Sequence, residues 1–438
     1  MRSTARRRSV LIAAATLVVA ACSGSDTPAS SDGGSVGGGE PPATTVTPTT
    51  DPPVTEPPPP PPTEPAPTEP PTTPDTVPAT TPPVTEPASD DIVLDDAYGP
   101  YEVGVATLTI ADASGGDRNL TVDVWFPLAD GLDTELPPQQ YTLLPGTYYE
   151  SPYAVAATPD ALSPDGPFPL VVYSHGSGGL RYIHSNYTEA IASNGYLVVA
   201  PDHIGNTAVE RLAGTEGDGA ANALNRPRDV TAVIDAFLNP ESQETVGFVG
   251  SIDPGRIAVT GHSFGGFTAY AMAAGFDNEL GEFVADERVG AIITLAPAAG
   301  ESLLTDERLA SIDIPALVMV GTDDTSTPIE PNVTRPWELT ASSPSYRVDL
   351  VAAEHQTFTD VCAYQDFMPT LSDVPDIVTD TINDFAVEGC SADDMPIERA
   401  QAITNSFAVA FLDSIFKDGT PIDPLTVDEQ PDLIYQST

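Results

Sequence analysis

Residues 92–438 predict an α/β fold with a mainly parallel central sheet that is flanked by helices. Apolar strand-like runs alternate there with helical patterns; the runs are FPLVVYSHG, YLVVAPDH, RIAVT, VGAIITLAP and PALVMVGTDD. Each run ends in a loop, and the carboxyl ends of parallel strands are where such folds place their ligand sites. The stretch GHSFGG stands between one strand and a helical pattern, which marks that loop as a candidate site.

The remaining elements are predicted from the spacing of apolar residues along the chain. YEVGVATLTI and NLTVDVWFPL predict an opening hairpin. Two further stretches each place apolar residues on one helical face. The first contains Val230, Val233, Ile234, Phe237 and Leu238, and the second, near the end of the chain, contains Ile403, Phe407, Phe411 and Ile415. Segments 131–166 and 205–226 follow neither period, so we expect them to be irregular and to wall the site.

The amino-terminal residues predict export. Residues 1–21 combine four arginines with a short apolar run, which is typical of a secretory signal peptide. The run ends in Val-Ala-Ala before Cys22 and resembles a bacterial lipobox; a plain signal peptide with an incidental cysteine is the alternative. We therefore expect an exported lipoprotein, on the bacterial cell surface or in the periplasm, held to the membrane only by a lipid on Cys22.

Residues 22–91 are rich in Pro, Thr and Gly and contain PPVTEP twice. Such a composition cannot bury a core and favours extended polyproline II, so we expect a disordered spacer between the lipid and the folded domain at 92–438. A proline-rich tract that binds a protein partner is the alternative.

The charge balance restricts the partners. The chain has 64 acidic and 16 basic residues and a formal net charge of −48. This excess of negative charge argues against binding to nucleic acid and against charge-driven binding to anionic lipid. Residues 92–438 are long enough for one large domain, which we expect to be a monomer.

Ser263 is the candidate nucleophile. G-x-S-x-G after a strand and before a helix is the nucleophile elbow of the α/β-hydrolase fold, and small residues are needed there because strand and helix approach closely. An ordinary turn with a capping serine is the alternative for such a common motif.

His355 is the candidate base. A serine nucleophile needs a base that is oriented by an acid, and in this fold the chain order is serine, acid, histidine. The five histidines are His175, His184, His203, His262 and His355, of which only His355 follows Ser263 with room for an acid between them. A histidine on a surface loop is the alternative.

Asp324 is the favoured acid. It follows the PALVMVG run after Thr322 and Asp323, and it begins a D-T-x-x-P pattern that is common in bacterial hydrolases. Asp323, Asp286 and Glu301 stay open as alternatives at this point.

The backbone N–H groups of Phe264 and Ser177 are the candidate oxyanion hole. Phe264 directly follows the nucleophile, and Ser177 lies in the glycine-rich loop after the FPLVVY run. We expect His175 to support that loop structurally.

Cys362 and Cys390 form an even pair outside the cell, which predicts a disulfide. A buried pair of free thiols and a metal site are alternatives, but two cysteines without a nearby histidine at ligand spacing argue against metal. The acidic segment between them contains two prolines, and we do not expect it to be rigid by itself. The bridge would then fix the chain that leaves His355.

Several ordered blocks together resemble known families. They are VVYSHGSGGLRYIHSNYTEAIASNGYLVVAPDHIGNT, RPRDVTAVIDAFL, GHSFGGFTAY and AEHQTF. They resemble dienelactone-hydrolase-like lipoproteins and plasma-type platelet-activating-factor acetylhydrolases. The resemblance implies hydrolysis of a small or lipid-like carboxylic ester without a metal or organic cofactor.

The chain departs from these families in two places. The strand after the nucleophile helix reads AIITLAPAAG and has no aspartate. The position of the acid, in the later GTDD loop, therefore resembles that in cutinase-like polyester hydrolases. Those enzymes carry aromatic residues where this chain has Ser177 and Pro297-Ala298, and Trp337 would replace them only if its loop covered the site. A polyester hydrolase and a catalytically inactive binding module therefore remain as alternatives.

Overall fold

A computed structural model describes residues 97–113, 118–144, 146–239, 245–372, 374–417, 419, 421–422 and 430–438. The signal peptide, Cys22 and the spacer predicted over residues 1–91 lie outside these residues. The described residues belong to one compact unit, Pro83–Thr438.

The strands of the described part carry the following labels in chain order. They are β1 Val103–Ala113, β2 Arg118–Pro127, β3 Pro138–Leu144, β4 Thr147–Ala156, β5 Phe168–Ser174, β6 Leu197–Pro201, β7 Ile252–His262, β8 Phe276–Asn278, β9 Gly281–Phe283, β10 Ala291–Leu295, β11 Ala316–Gly321, β12 Ser345–Leu350 and β13 Leu433–Ser437.

The α-helices of the described part are labelled in the same way. They are α1 Ser185–Ser193, α2 Ala208–Ala213, α3 Gly219–Leu238, α4 Phe264–Ala274, α5 Asp306–Ala310, α6 Arg335–Leu339, α7 Val361–Phe367, α8 Asp376–Ala386 and α9 Ile397–Phe416.

Eleven of the described strands form one sheet in the order β13-β12-β11-β10-β7-β5-β6-β2-β1-β4-β3. The neighbours from β6 through β5, β7, β10 and β11 to β12 all pair in parallel. β1 and β2 pair antiparallel as the predicted hairpin, and β13 adds an antiparallel edge that the sequence had not indicated. The predicted α/β fold with a mainly parallel sheet is confirmed.

Helices cover both faces of the sheet and divide the core into two layers. Residues of α3 and α4, including Val233 and Phe267, pack on one face. Residues of α1 and α9, including Ile191, Phe407 and Phe411, pack on the other. The central strands read as continuous apolar runs because helices bury them on both faces.

The strands end where the predicted site residues begin. β5, β7, β11 and β12 are parallel, so their carboxyl ends meet at one edge of the sheet. The glycine-rich loop, the elbow, the predicted acid and the predicted base follow these four strands in turn. The sheet thereby gathers four distant segments of the chain.

Two segments that we expected to be irregular are ordered. Residues 138–144 and 147–156 form the β3–β4 pair, and most of 205–226 lies in α2 and the first half of α3. Asp218 caps α3 by accepting from the N–H groups of Ala220 and Ala221. None of the helices in the described ranges has the length and apolar character that crossing a bilayer requires.

Candidate active site

Ser263 occupies a strained turn between β7 and α4. Its φ of 57° and ψ of −117° lie outside the regions that residues with a side chain usually adopt. Its N–H donates to the Leu295 carbonyl, and its own carbonyl accepts from the N–H of Ala298. These bonds to the neighbouring strand and its loop hold the elbow in the conformation that presents a serine at the sheet edge.

The elbow needs glycine at the positions that flank Ser263. A Cβ on Gly265 would lie 1.8 Å from the Ser174 carbonyl oxygen, at the end of β5. A Cβ on Gly261 would lie 2.4 Å from the carbonyl carbon of Gly265. Both distances are far inside van der Waals contact, so the G-x-S-x-G spacing here follows from backbone packing between β5, β7 and α4.

Asp324 and His355 form a buried hydrogen-bonded pair. The Nδ1 atom of His355 lies 2.8 Å from Oδ2 of Asp324, and the two residues are 5% and 6% exposed. Thr327 donates its N–H to Oδ1 of Asp324 at 2.7 Å and its hydroxyl to Oδ2 at 2.8 Å. Both carboxylate oxygens are therefore occupied, and one of them faces the imidazole.

The hydrogen bonds keep Asp324 ionised. Burial alone would raise the pKa of this carboxyl group, but the hydrogen bond and charge of His355 and the donors of Thr327 outweigh it and lower the pKa. An ionised acceptor fixes the His355 proton on Nδ1 and leaves Nε2 free to accept another.

The other candidate acids lie elsewhere. Asp323 is exposed and accepts a hydrogen bond from the Thr322 hydroxyl. Asp286 is paired with Arg288 and also accepts from Thr231, and Glu301 is exposed. Among the four, Asp324 is the one that contacts His355.

His262 contacts the candidate base and supports it, a role that the sequence did not indicate for this histidine. Its Nε2 lies 2.9 Å from the His355 carbonyl oxygen, and the two rings lie 4.6 Å apart between centroids. Burial, followed by the charge of His355, lowers the pKa of His262 to about 3. A neutral His262 donates its Nε2 proton to that carbonyl and so holds the start of the His355–Phe358 turn against the elbow.

Ser177 and Phe264 lie on the same cavity as Ser263 and His355. Phe264 is the first residue of α4, where no intrahelical carbonyl is available to its N–H. His175 has the structural surroundings that we expected: its Nδ1 bonds the Gly176 carbonyl at 2.7 Å, and its Nε2 accepts from the N–H of His203. Burial, first, and the charge of Arg226 lower the pKa of His175 well below its usual range.

The cavity has a volume of about 630 Å³. Its floor is the elbow and the glycine-rich loop, and its walls come from α2, α7 and α8. The apolar residues of these walls are Leu143, Leu180, Ile183, Leu212, Val361, Val378, Ile382 and Phe385. Of the segments 131–166 and 205–226 only a few residues contribute, and the segment after His355 contributes most. The sequence-based assignment of the walls was wrong in that respect.

Cys362 and Cys390 are joined by a disulfide that encloses two helices. The intervening segment, which we did not expect to be rigid, contains α7, a 3₁₀ turn and α8. Its far end lies against the candidate base: the Glu388 carbonyl accepts from the N–H of Gln356 at 2.6 Å. A Cβ on Gly389 would lie 2.5 Å from the Thr357 nitrogen. We call residues 361–390 the lid.

Other candidate roles find no support in the described residues. These contain no group of three or more His, Cys, Asp or Glu side chains that could hold a metal ion. Trp337 packs with Val318, Val320 and Val333, away from the cavity lining. It therefore does not form the aromatic platform considered for a polyester hydrolase.

Comparison with known proteins identifies the family. The alpha/beta hydrolase family matches residues 171–432, more than half of the chain. The chain belongs to this family. Residues 88–225 also match the family of platelet-activating factor acetylhydrolase isoform II. The predicted α/β-hydrolase fold and the resemblance to platelet-activating-factor acetylhydrolases are confirmed.

The relatives include an acetylhydrolase and a chlorophyllase. Platelet-activating factor acetylhydrolase of Gallus gallus is 26% identical over an alignment of 231 residues, and the match covers 39% of this chain and 54% of that protein. Chlorophyllase type 0 of Chenopodium album is 29% identical over 139 residues, 32% of this chain and 37% of that protein. The chain thus spans between about a third and about half of the length of these relatives.

A solved structure resembles a larger part of the hydrolase. The ferulic acid esterase from Streptomyces cinnamoneus superposes with a TM-score of 0.54 at 25% identity. The match covers 77% of this chain and 96% of that one.

Proposed function

We propose that this hydrolase is a serine esterase that cleaves carboxylic esters through an acyl-enzyme. The observation that carries the proposal is the hydrogen-bonded Asp324–His355 pair beside a serine in the elbow conformation, on one cavity. The esterase relatives support the same reaction class.

The reaction uses the side chains in the following order. The Ser263 hydroxyl attacks the ester carbonyl carbon while Nε2 of His355 takes its proton, and Asp324 stabilises the imidazolium that forms. The N–H groups of Ser177 and Phe264 hold the negative oxygen of the tetrahedral intermediate. His355 then gives the proton to the leaving alcohol, and a water molecule activated by the same histidine hydrolyses the acyl group from Ser263.

We infer that the substrate is a small or lipid-like ester. A cavity of about 630 Å³ is in the range of small-molecule sites, and its walls are largely apolar side chains that suit an acyl or alkyl group. The guanidinium group of Arg211 on α2 lies 5.4 Å above the ring of Phe385 on α8. This contact brings two walls together across the cavity, which favours a ligand of limited width.

A polyester substrate and an inactive binding module fit less well. Ser177 and Ala298 line the cavity where polyester hydrolases carry aromatic residues, and the lid narrows the approach of a polymer surface. An inactive module would have no need to keep the carboxylate of Asp324 desolvated and bonded to an imidazole, because burial of a charged group is costly.

The substrate proposal predicts a chain-length limit. Among p-nitrophenyl esters from acetate to palmitate, we expect the highest kcat/KM for short acyl chains and slow release of soluble product from polyester film. Ile382→Trp, which fills the cavity from α8, should move the optimum to shorter chains and leave acetate hydrolysis within about threefold of wild type. Ile377→Trp is the matched control, because Ile377 lies on the same helix and is 62% exposed.

The outcomes separate the alternatives. Film release as fast as small-ester turnover would favour a polyester hydrolase. Equal shifts in Ile377→Trp and Ile382→Trp would show that the cavity does not hold the acyl chain. Lack of any ester hydrolysis by the folded wild-type protein would favour a binding module.

We also propose that a lipid on Cys22 anchors the protein to a membrane. The support is the basic and apolar leader that ends in Val-Ala-Ala before this cysteine. We expect Cys22→Ala to move the protein from the membrane to the soluble fraction of the producing cells, with unchanged specific activity. A wild-type mature terminus that carries no acyl group in the mass spectrum would contradict the anchor.

A further inference from the structure

Arg226 is a buried cation behind the glycine-rich loop. It lies on α3 and is 1% exposed. Its guanidinium donates to the carbonyls of His175 at 2.6 Å and Gly176 at 3.0 Å. It also donates to Oδ1 of Asn206 at 2.7 and 3.0 Å, and to the Ser174 hydroxyl oxygen at 3.3 Å. Each of these acceptors is uncharged.

The bond to the Gly176 carbonyl fixes the direction of an N–H group. In a planar trans peptide the C=O of one residue and the N–H of the next point in opposite directions. Because Arg226 draws the Gly176 carbonyl toward itself, the N–H of Ser177 points away from Arg226. Ser177 lines the cavity, so this N–H is directed to the side on which an oxyanion would form.

Asn206 fixes the same loop from a second direction. Its side-chain amide donates to the Ser177 hydroxyl at 3.1 Å, and its backbone carbonyl accepts from the N–H of Gly178. Arg226 holds Asn206 through two hydrogen bonds, so the loop and its second support share one cation.

Arg226 also contacts the residue that supplies the other candidate donor. Its Cζ lies 4.7 Å from the centroid of the Phe264 ring, a distance at which a guanidinium is attracted to an aromatic face. A single side chain thereby touches both sides of the candidate oxyanion hole.

A chain of hydrogen bonds keeps Arg226 in place. The Ser174 hydroxyl lies 2.9 Å from Nε2 of His203, and Nδ1 of His203 lies 3.0 Å from Oδ2 of Asp229. Arg118 donates to the same carboxylate at 2.8 Å. With the His203 proton on Nδ1, every donor from Arg226 through Ser174 and His203 points toward Asp229.

Ser174, His203 and Asp229 are hydrogen-bonded in the same order as a catalytic triad, but their buried positions indicate a structural role. Ser174, His203 and Asp229 are each 1% exposed or less, and none of them lines the cavity. Burial, with the charges of Arg226 and Arg118, lowers the pKa of His203 well below its usual range, so the imidazole is neutral. Burial raises the pKa of Asp229 to about 6, against the hydrogen bond of Arg118, which leaves the carboxylate ionised at neutral pH.

We propose that Arg226 is a positioning residue of the oxyanion hole, and that Ser174, His203 and Asp229 hold it. The proposal rests on the proposed esterase function. Arg226 orients the Ser177 N–H through the Gly176 carbonyl and places Phe264 through its ring. Its charge, which contacts no carboxylate among the described residues, favours a negative oxygen at the other side of the loop.

The first test compares kinetic constants. Arg226→Gln should lower kcat for p-nitrophenyl acetate about 10- to 100-fold, since loss of one oxyanion donor costs about 10²–10³, while KM changes less than about threefold. Arg226→Lys keeps the charge without the planar fork and should recover part of kcat. Arg228→Gln is the matched control, because Arg228 follows two residues later and donates to the Glu282 carbonyl instead.

The second test does not depend on activity. Hydrogen exchange of the peptide that contains residues 174–179 should be faster in Arg226→Gln than in wild type and in Arg228→Gln. Faster exchange with an unchanged kcat would overturn the positioning role, and unchanged exchange would overturn the structural hold. Equal losses in kcat and thermal stability for both glutamine variants would also contradict it. If the wild type lacks esterase activity, the proposed function fails, while the exchange still decides whether Arg226 holds the loop.

Discussion

Ser263→Ala is expected to abolish ester hydrolysis, with a loss of about 10⁴- to 10⁶-fold in kcat. The strained backbone of Ser263 presents the hydroxyl at the cavity, and no acyl-enzyme can form without it. The fold should persist, because an alanine satisfies the same steric limits at the elbow. Steady-state hydrolysis of p-nitrophenyl acetate and circular dichroism of the purified variant measure both effects.

Covalent labelling supplies the control. A fluorophosphonate should modify wild type once, on the peptide that contains Ser263, and should not modify Ser263→Ala. The buried Ser174, whose hydroxyl contacts His203 and through it Asp229, should stay unlabelled because reagent cannot reach it. A label on Ser174, or activity retained in Ser263→Ala, would refute the assignment of the nucleophile.

The same logic predicts that the loss is not additive with that of the base. His355→Ala should cost about as much as Ser263→Ala, and the double variant little more than either. The two side chains act in the same step. Once one of them is absent, removal of the other should therefore cause little further loss of kcat. A double variant that is slower by the product of the two single effects would indicate two independent mechanisms.

The sequence predicted the elements whose cause is local. The central strands were recognisable because burial on both faces requires uninterrupted apolar residues, and the elbow because backbone contact at Gly261 and Gly265 excludes side chains. The order of Ser263, Asp324 and His355 was expected from the chain order of the triad in this fold. The strand and elbow constraints are visible in a few consecutive residues.

The lid was not predicted because its order depends on distant contacts. Its proline and acid content argues against helices, yet Val378, Ile382 and Phe385 recur at helical spacing on α8. That face packs on the cavity and on the cluster around the disulfide. Short helices of this kind gain stability from tertiary packing and not from propensity, which sequence alone does not reveal.

Arg226 and His262 were missed for a related reason. Both lie in blocks that carry the family resemblance, but the sequence does not show whether an arginine is buried or exposed. Only the fold brings α3 behind the glycine-rich loop and places His262 against the His355 carbonyl. The choice among four acids was likewise open until β11 and β12 were seen to end side by side.

Asp324→Asn is expected to lower kcat by about 10³- to 10⁴-fold through the wrong tautomer of His355. The Thr327 N–H donates to Oδ1 of Asp324 and requires an acceptor there. The carbonyl oxygen of an asparagine at 324 would therefore face Thr327, and its NH₂ group would face Nδ1 of His355. The imidazole must then accept at Nδ1 and carry its proton on Nε2, where it cannot take the proton of Ser263.

Substitutions of the three other candidate acids and a pH series test this explanation. Asp323→Asn changes the adjacent carboxylate, which is exposed, and should leave kcat within about twofold, as should Asp286→Asn and Glu301→Gln at their separate positions. Because a tautomer defect is not a folding defect, Asp324→Asn should keep the wild-type circular dichroism spectrum and bind substrate with similar KM at every pH measured. Wild-type kcat in Asp324→Asn, together with loss of activity in any of the other three variants, would assign the acid to that residue instead. If Asp324→Asn loses activity and also loses the circular dichroism signal of the folded protein, the role of the Asp324–His355 pair is in stability. The buried carboxylate would then be needed for folding, and its effect on the His355 tautomer would not explain the loss of kcat.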